Sequence, residues 1–177
     1  MEIKLLSEEV LCRGRRVTLI SREYLMKGRV VRRDIVHFGQ AVAIVPLLSS
    51  REILLLRQFR APVGKWVYEV PAGMMEEGED VATAARRELI EETGYEAESI
   101  ERLISVYTAP GYSDEVLHIV VAKNLKYVGA RPEPGELIEV VKLSLEEALR
   151  KVLSQEVADA KTVIALTLLK LMTSVVK

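Results

Sequence analysis

The decapeptide RRELIEETGY, residues 86–95, constrains the fold of this chain more tightly than any other stretch. It reads as the end of a helix over about residues 80–93, stopped at Gly94, and it crowds Glu88, Glu91 and Glu92 into the last turns. A helix ends negative, so acidic side chains there are misplaced by roughly 0.3–1 kcal/mol each. Glu88 and Glu92, four residues apart, repel by a further ~0.2–0.5 kcal/mol. At 3.6 residues per turn, both fall within about 20° of Val81 on the helix wheel, and Glu91 lies about 80° away. Ala84 and Ala85 share that arc, and Leu89 and Ala82 define a neighbouring apolar stripe. A solvated charged face seldom intersperses small apolar residues in this way.

A half-buried carboxylate must be protonated, paired or bound to a metal. The arc carries too few bases to pair three acids. With no His or Cys nearby, a cluster of hard oxygen donors suits Mg²⁺ or Mn²⁺ better than zinc. Glutamate-rich helix ends are also common on ordinary surfaces, so the decapeptide alone leaves a solvated face open.

Composition narrows the field. A chain of 177 residues is long enough for one compact domain with a sizeable core. A formal net charge of −1 argues against nucleic acid as a partner. The single cysteine, Cys12, allows no intramolecular disulfide. The start, MEIKLLSEEVLCRGRR, lacks the apolar core of a secretory signal. Lys161 and Lys170 interrupt the apolar tail well short of a membrane span. The expectation is a cytoplasmic protein of enzyme size with no membrane partner.

Residues 3–38 read as short strand segments, with VTLISREYL (17–25) and GRVVRRDIVHF (28–38) alternating apolar and polar positions. AVAIVPLL (41–48) and EILLLRQF (52–59), separated by SSR, have the continuous apolar character of buried strands. KWVYEV (65–70), VLHIVVAKNL (116–125) and LIEVVKL (137–143) complete the strands, with a Gly/Pro-rich loop at 126–136. Ser144 followed by Glu147 is a capping-box signature opening a helix at 144–153. A long, mostly packed helix is expected at 158–175. Trp66 is expected in the core of its strand. The order implies an α/β fold with a mixed sheet and helices on its faces.

Beyond the decapeptide, residues 73–95 match the pattern G-x5-E-x7-R-E-U-x-E-E-x-G-U, where U is bulky and apolar. Gly73, Glu79, Arg87, Glu88, Glu91, Glu92 and Gly94 fill the seven fixed positions. A chance match in a chain this long is on the order of one in ten million at average residue usage. On these residues the chain resembles the Nudix hydrolase family, with Tyr95 in place of the more usual aliphatic residue. The resemblance extends over 41–177. It implies an α/β/α sandwich with a mixed β-sheet and metal-dependent hydrolysis of a diphosphate joined to a second group. It further implies that Arg87 pairs with Glu79, and that Glu88 and Glu92 are the main metal ligands. Glu91 is a further ligand or positions water, and the Ala72 carbonyl adds an oxygen.

Outside that pattern, LLLRQFRAPVGKWVYEVPAG, TAPGYSDEVLHIV and PGELIEVVKLSLEEAL resemble the ADP-ribose pyrophosphatase branch, as does the distance from Tyr95 to Pro110. This implies that Pro110–Gly111 forms a rigid turn carrying a loop over the terminal ribose. Arg60, and Arg33 or Arg32, contact phosphates, and Glu136 is the general base with Glu139 in reserve. Glu115 touches metal or ribose, or only caps its turn. Tyr112 instead resembles the dinucleoside-polyphosphate branch. The first 40 residues resemble a β-rich element that pairs two subunits, giving domains at 1–40 and 41–177 and a homodimer through the N-terminal strands. The expected reaction is ADP-ribose to AMP and ribose 5-phosphate. The alternatives are another nucleoside diphosphate sugar, a dinucleoside polyphosphate, or a non-catalytic Nudix-like ADP-ribose sensor.

Overall fold

The computed structural model describes residues 3–49, 52–131 and 135–175. The middle of the Gly/Pro loop, at 132–134, and part of the SSR link, at 50–51, lie outside the described residues. Two compact units make up the chain: Met1–Gln40 with Val106–Leu117, and Ala41–Ser105 with His118–Lys177.

The first unit is built on an antiparallel sheet of β1 (Ile3–Arg13), β2 (Thr18–Met26) and β3 (Arg29–His37), in the order β1-β2-β3. A two-residue turn joins β2 to β3, with Lys27 at φ 50° and Gly28 at φ 74°. Both central residues at positive φ give the turn whose twist matches a hairpin. The segment 109–115 is fastened to the end of β3. Val36 N–H donates to the Tyr112 carbonyl at 2.8 Å, Phe38 N–H to Asp114 Oδ1 at 3.0 Å, and His37 Nδ1 lies 2.6 Å from Asp114 Oδ2.

The second unit holds the core. Its strands are β4 (Gln40–Pro46), β5 (Glu52–Arg60), β6 (Lys65–Glu69), β7 (Ala72–Met74), β8 (Tyr95–Tyr107), β9 (Val116–Tyr127) and β10 (Ile138–Ser144). The ends of β4, β8 and β9 run into the first unit. The helices are α1 (Val81–Thr93), α2 (Leu145–Leu153) and α3 (Ala160–Val175). Two sheets form, in the orders β10-β5-β6 and β7-β4-β9-β8. The apolar runs of β4 and β5 are buried on both faces from Val42 to Val45 and Ile53 to Leu56. Each such large side chain contributes about 1.5–3 kcal/mol relative to exposure. Ala84, Ala85 and Leu89 of α1 pack on Val42, Ile44, Ala97, Val120 and Ala122. Small residues on that stripe let the helix approach the sheet and leave its acidic arc at the edge of the contact.

Four local readings are corrected. Residues 95–107, YEAESIERLISVY, form β8, which the apolar pattern does not reveal. β8 lies at the edge of its sheet, where charged residues are favoured and alternation is weak. Residues 72–74, where the sequence leads one to expect Gly73 to open the tight loop entering the helix, form a short strand with Gly73 opposite Val42. Trp66 is 40% exposed, with its ring edge-on to Phe59 and the Arg57 guanidinium 4.5 Å above it. A cation–π contact of this kind replaces the expected core packing. Finally, α3 buries Thr162, Ala165, Leu166 and Leu169 but exposes Leu171 and Met172, so only one of its faces is packed.

Candidate active site

Asp80 caps α1, accepting the Thr83 N–H at 2.8 Å, and Gly94 at φ 77° ends it. Between these caps Arg87 binds in four directions. Its Nε and Nη2 donate to the two Glu79 oxygens at 3.0 and 2.9 Å, and Nη2 also donates to the Met74 carbonyl at 2.9 Å. Its Nη1 donates to Glu88 at 2.7 Å and to Glu91 at 3.3 Å. One guanidinium thus ties β7 and the loop after it to the acidic face of α1.

Glu92 is 5% exposed and accepts the Ala72 N–H at 2.9 Å. Burial pushes its carboxyl up to about 8, with the charges of Glu88 and Glu136 adding to the rise against the Ala72 N–H and Arg60. Burial also raises Glu88, against Arg87, with Glu91 and Glu136 adding to it. Glu136, from the segment before β10, therefore acts on the same carboxylates. Glu139 points elsewhere, held by Arg57 at 2.9 and 3.1 Å. This ion pair argues against its reserve role.

Gly73 explains how the cluster fits. A Cβ there would stand 1.9 Å from Glu88 Oε1 and 2.0 Å from its Cδ. The missing side chain is the space that the Glu88 carboxylate fills. Among the described residues, no three His, Cys, Asp or Glu side chains form a ready-made metal cage. Glu88 is turned to Arg87 and Glu92 to the Ala72 amide. The donor chemistry nevertheless fits a hard divalent cation: carboxylate oxygens that repel one another, two of them raised by burial.

Behind this cluster lies a buried ion group that sequence reasoning missed. Glu69, 2% exposed at the end of β6, accepts from Arg60 Nε and Nη2, both at 2.8 Å, and from Lys161 Nζ. Burial pushes Glu69 upward, but the Arg60 hydrogen bonds and the Lys161 charge outweigh it and hold the carboxyl below its usual range. Arg60 also senses the charge of Glu92. The available signal was a lone acid in the apolar run KWVYEV, and a lysine beginning an apolar helix. Two residues before Arg60, Gln58 buries its Oε1 without a hydrogen-bond partner among the described residues. Such an atom costs about 1–3 kcal/mol.

The first unit gathers a different set. Arg33, Pro110 and Gly111 line a cavity of about 360 Å³ with Arg22, Tyr24 and Tyr112. Arg33 donates to the Arg32 carbonyl at 2.9 Å. Arg32 is engaged by Ser21 at 2.7 Å and Glu9 at 3.1 Å. Glu115 accepts from Thr108 Oγ1 at 2.5 Å, a contact that ties its own turn.

A helix of clustered acids clamped by one arginine between two glycines, on an α/β core, defines the class. The NUDIX domain family model matches residues 37–166, and the chain belongs to this family. A methanol dehydrogenase activator from Bacillus methanolicus is 40% identical over 173 residues, covering 96% of this chain and 94% of that protein. An ADP-ribose pyrophosphatase from Bacillus subtilis (strain 168) is 36% identical over 174 residues, covering 97% and 94%. Among solved structures, one described as an ADP compounds hydrolase superposes with a TM-score of 0.86 at 25% identity, covering 98% of this chain and 95% of that one. Among the described residues, no helix is long and apolar enough to cross a membrane.

Proposed function

We propose that this protein hydrolyses the diphosphate of ADP-ribose, giving AMP and ribose 5-phosphate, with Mg²⁺ or Mn²⁺ held by Glu88, Glu91, Glu92 and the Ala72 carbonyl. The observation that carries the reading is the crowding of half-buried Glu88 beside buried Glu92, whose carboxyl is pushed up by burial and by the charges of Glu88 and Glu136. The relative named ADP-ribose pyrophosphatase supports the choice of substrate. A bound divalent cation would neutralise the diphosphate, polarise a phosphoryl oxygen and lower the pKa of water.

The chain's own groups then have defined tasks. Arg87 and Glu79 hold the loop after β7 against α1. Arg60 holds a phosphate through its planar fork. Glu136 takes the proton of the attacking water as the new oxygen–phosphorus bond forms. The bond from that phosphorus to the bridging oxygen breaks, and the bridging oxygen leaves with the other phosphate. Arg33 contacts a phosphate, Pro110 and Gly111 carry a loop over the terminal ribose, and Glu115 contacts metal or ribose. The site works in a cytoplasmic homodimer formed through β1–β3, where Ile3 is 60% and Val30 61% exposed and Leu5, Leu6 and Leu11 are also open. Pairing with a second copy would cover that apolar surface.

Incubation with ADP-ribose and Mg²⁺ should release AMP and ribose 5-phosphate, and Glu92→Gln should lower turnover by orders of magnitude with the fold intact. No AMP from the wild-type protein, or full turnover in the variant, overturns the reading. A second reading rests on the relative named a methanol dehydrogenase activator: stimulation of a partner dehydrogenase. Assaying such an enzyme with the wild-type protein and with Glu92→Gln separates stimulation by hydrolysis from stimulation by contact.

A further inference from the structure

The first turn of α3 carries Lys161, a cation at the positive end of a helix. This placement is unfavourable by roughly 0.3–1 kcal/mol unless an anion meets it. Two anions do. Lys161 Nζ donates to Glu69, and to Asp159 at 3.0 Å. Asp159 in turn caps the helix, accepting the Thr162 N–H at 2.9 Å. The Thr162 hydroxyl, fully buried, accepts the Val70 N–H at 2.8 Å. The start of α3 therefore holds Glu69 by its carboxylate and Val70 by its backbone. Two residues further on, the Ala72 N–H reaches Glu92.

The Arg60 contact is directional. Glu69 takes the side of the guanidinium formed by Nε and Nη2, both at 2.8 Å. A guanidinium has five N–H donors in a rigid fork. Three remain, two of them along the edge formed by Nη1 and Nη2. That edge matches two phosphate oxygens. An arginine on a free surface would sample many rotamers, and ordering it on binding costs about 0.5–1.5 kcal/mol. Glu69 has already ordered this one. Arg60 alone would satisfy one buried carboxylate, so the second cation needs a reason. If Arg60 gives part of its charge to a phosphate, Lys161 keeps Glu69 compensated, since an uncompensated buried charge is strongly destabilising.

We propose that Glu69 and Lys161 are positioning residues for diphosphate binding: Glu69 orients Arg60 so that its Nη1–Nη2 edge faces the diphosphate, and Lys161 neutralises Glu69 while Arg60 is engaged. The proposal rests on the diphosphate reading given above, but not on which nucleotide is attached. The C-terminal helix, which has no part in the sequence pattern of α1, thereby becomes part of the substrate-binding apparatus.

The test uses methylenediphosphonate, a diphosphate that cannot be hydrolysed, titrated with Mg²⁺ into the full chain by calorimetry, alongside KM and kcat for ADP-ribose. Glu69→Gln should weaken diphosphonate binding on the order of tenfold or more and raise KM in step, with kcat changed less than threefold. Lys161→Met should do the same to a smaller degree, and Lys161→Arg should restore most of the loss. If the wild-type chain does not bind the diphosphonate, the diphosphate reading itself fails. If it binds and both variants bind equally well, the positioning role fails while that reading stands. Should Glu69→Gln not fold, the Lys161 pair decides alone. A melting temperature lowered in Lys161→Met with KM unchanged shows a purely structural group and overturns the proposal.

Discussion

Replacing Gly73 by alanine separates what the fold needs from what the acidic site needs. Gly73 sits in β7 opposite Val42, with no positive φ, so alanine meets no backbone strain there. The three atoms nearest its Cβ belong to the Glu88 carboxylate, at 1.9, 2.0 and 2.3 Å. Ordinary contact begins near 3.4 Å, so the carboxylate must withdraw by about 1.5 Å. It is the free end of a flexible side chain and is able to do so. An off-rotamer Glu88 costs about 0.5–1.5 kcal/mol. Loss of its partly exposed contact with Arg87 adds at most about 1 kcal/mol. For a chain of this size, each 1 kcal/mol lowers the melting temperature by about 2–4 °C.

Catalysis should respond far more. A displacement of about 1 Å in a positioned group costs on the order of a hundredfold in rate. Gly73→Ala should therefore lose about two orders of magnitude in kcat/KM for ADP-ribose while melting within a few degrees of wild type. It should also need more Mg²⁺ for half-maximal activity. The assay is product release across a Mg²⁺ titration, paired with a thermal melt. Activity within threefold of wild type at every Mg²⁺ concentration would refute the reasoning, because the Glu88 position would then be irrelevant to the chemistry.

Gly94→Ala should behave oppositely. The residue has φ 77°, and a Cβ would lie 2.6 Å from the Ala130 nitrogen and 2.9 Å from the Gly129 carbonyl carbon, both backbone atoms that have little room to move. Left-handed strain and overpacking together predict a loss of about 2–4 kcal/mol, read from the denaturant midpoint; a loss under 0.5 kcal/mol would contradict it. A pH series on the metal-free protein tests the buried carboxyl. Glu92 is raised from 4.5 to about 8 on folding, so its contribution to stability is fully present below pH 4.5 and is lost as pH rises through about 8. In chelator, the melting temperature should fall as pH rises from 4.5 to about 8, and Mg²⁺ should reverse that fall by favouring the ionised form. A metal-free melting temperature that rises across this range would exclude it.

The parts of the fold legible in the sequence are those with local causes. β4 and β5 announce themselves through unbroken apolar runs, α2 through Ser144 and Glu147, and α1 through its Gly94 stop and its 3.6-residue stripe. β8 is illegible because, amid Glu96, Glu98, Glu101 and Arg102, only the small Ala97 of this edge strand is buried, and its apolar pattern is weak. Trp66 misleads because its residue type favours burial while its ring stays 40% exposed, against Phe59 and the Arg57 guanidinium.

The site divides along the same line. Glu88, Glu91 and Glu92 share one arc of a helix, so spacing alone brings them together. Glu69 and Lys161 are separated by 92 residues and meet only because α3 packs against the end of β6. Each looks wrong for its surroundings in the sequence, an acid in a buried strand and a cation at a helix start, just as the acids of α1 look wrong at a helix end. Misplacement on the scale of 1 kcal/mol is small beside the cost of an unpaired buried charge, so folding tolerates the first to avoid the second. The acids of α1 differ in one respect: their repulsion is only partly answered within the protein, by Arg87 on one side. Glu69 is fully answered by Arg60 and Lys161. A charge left partly unanswered invites a cation from outside, whereas an answered one holds its partners in place. On this ground the two proposed roles divide between the clusters, α1 for attracting a metal and the Glu69 group for fixing the arginine proposed to receive the phosphate.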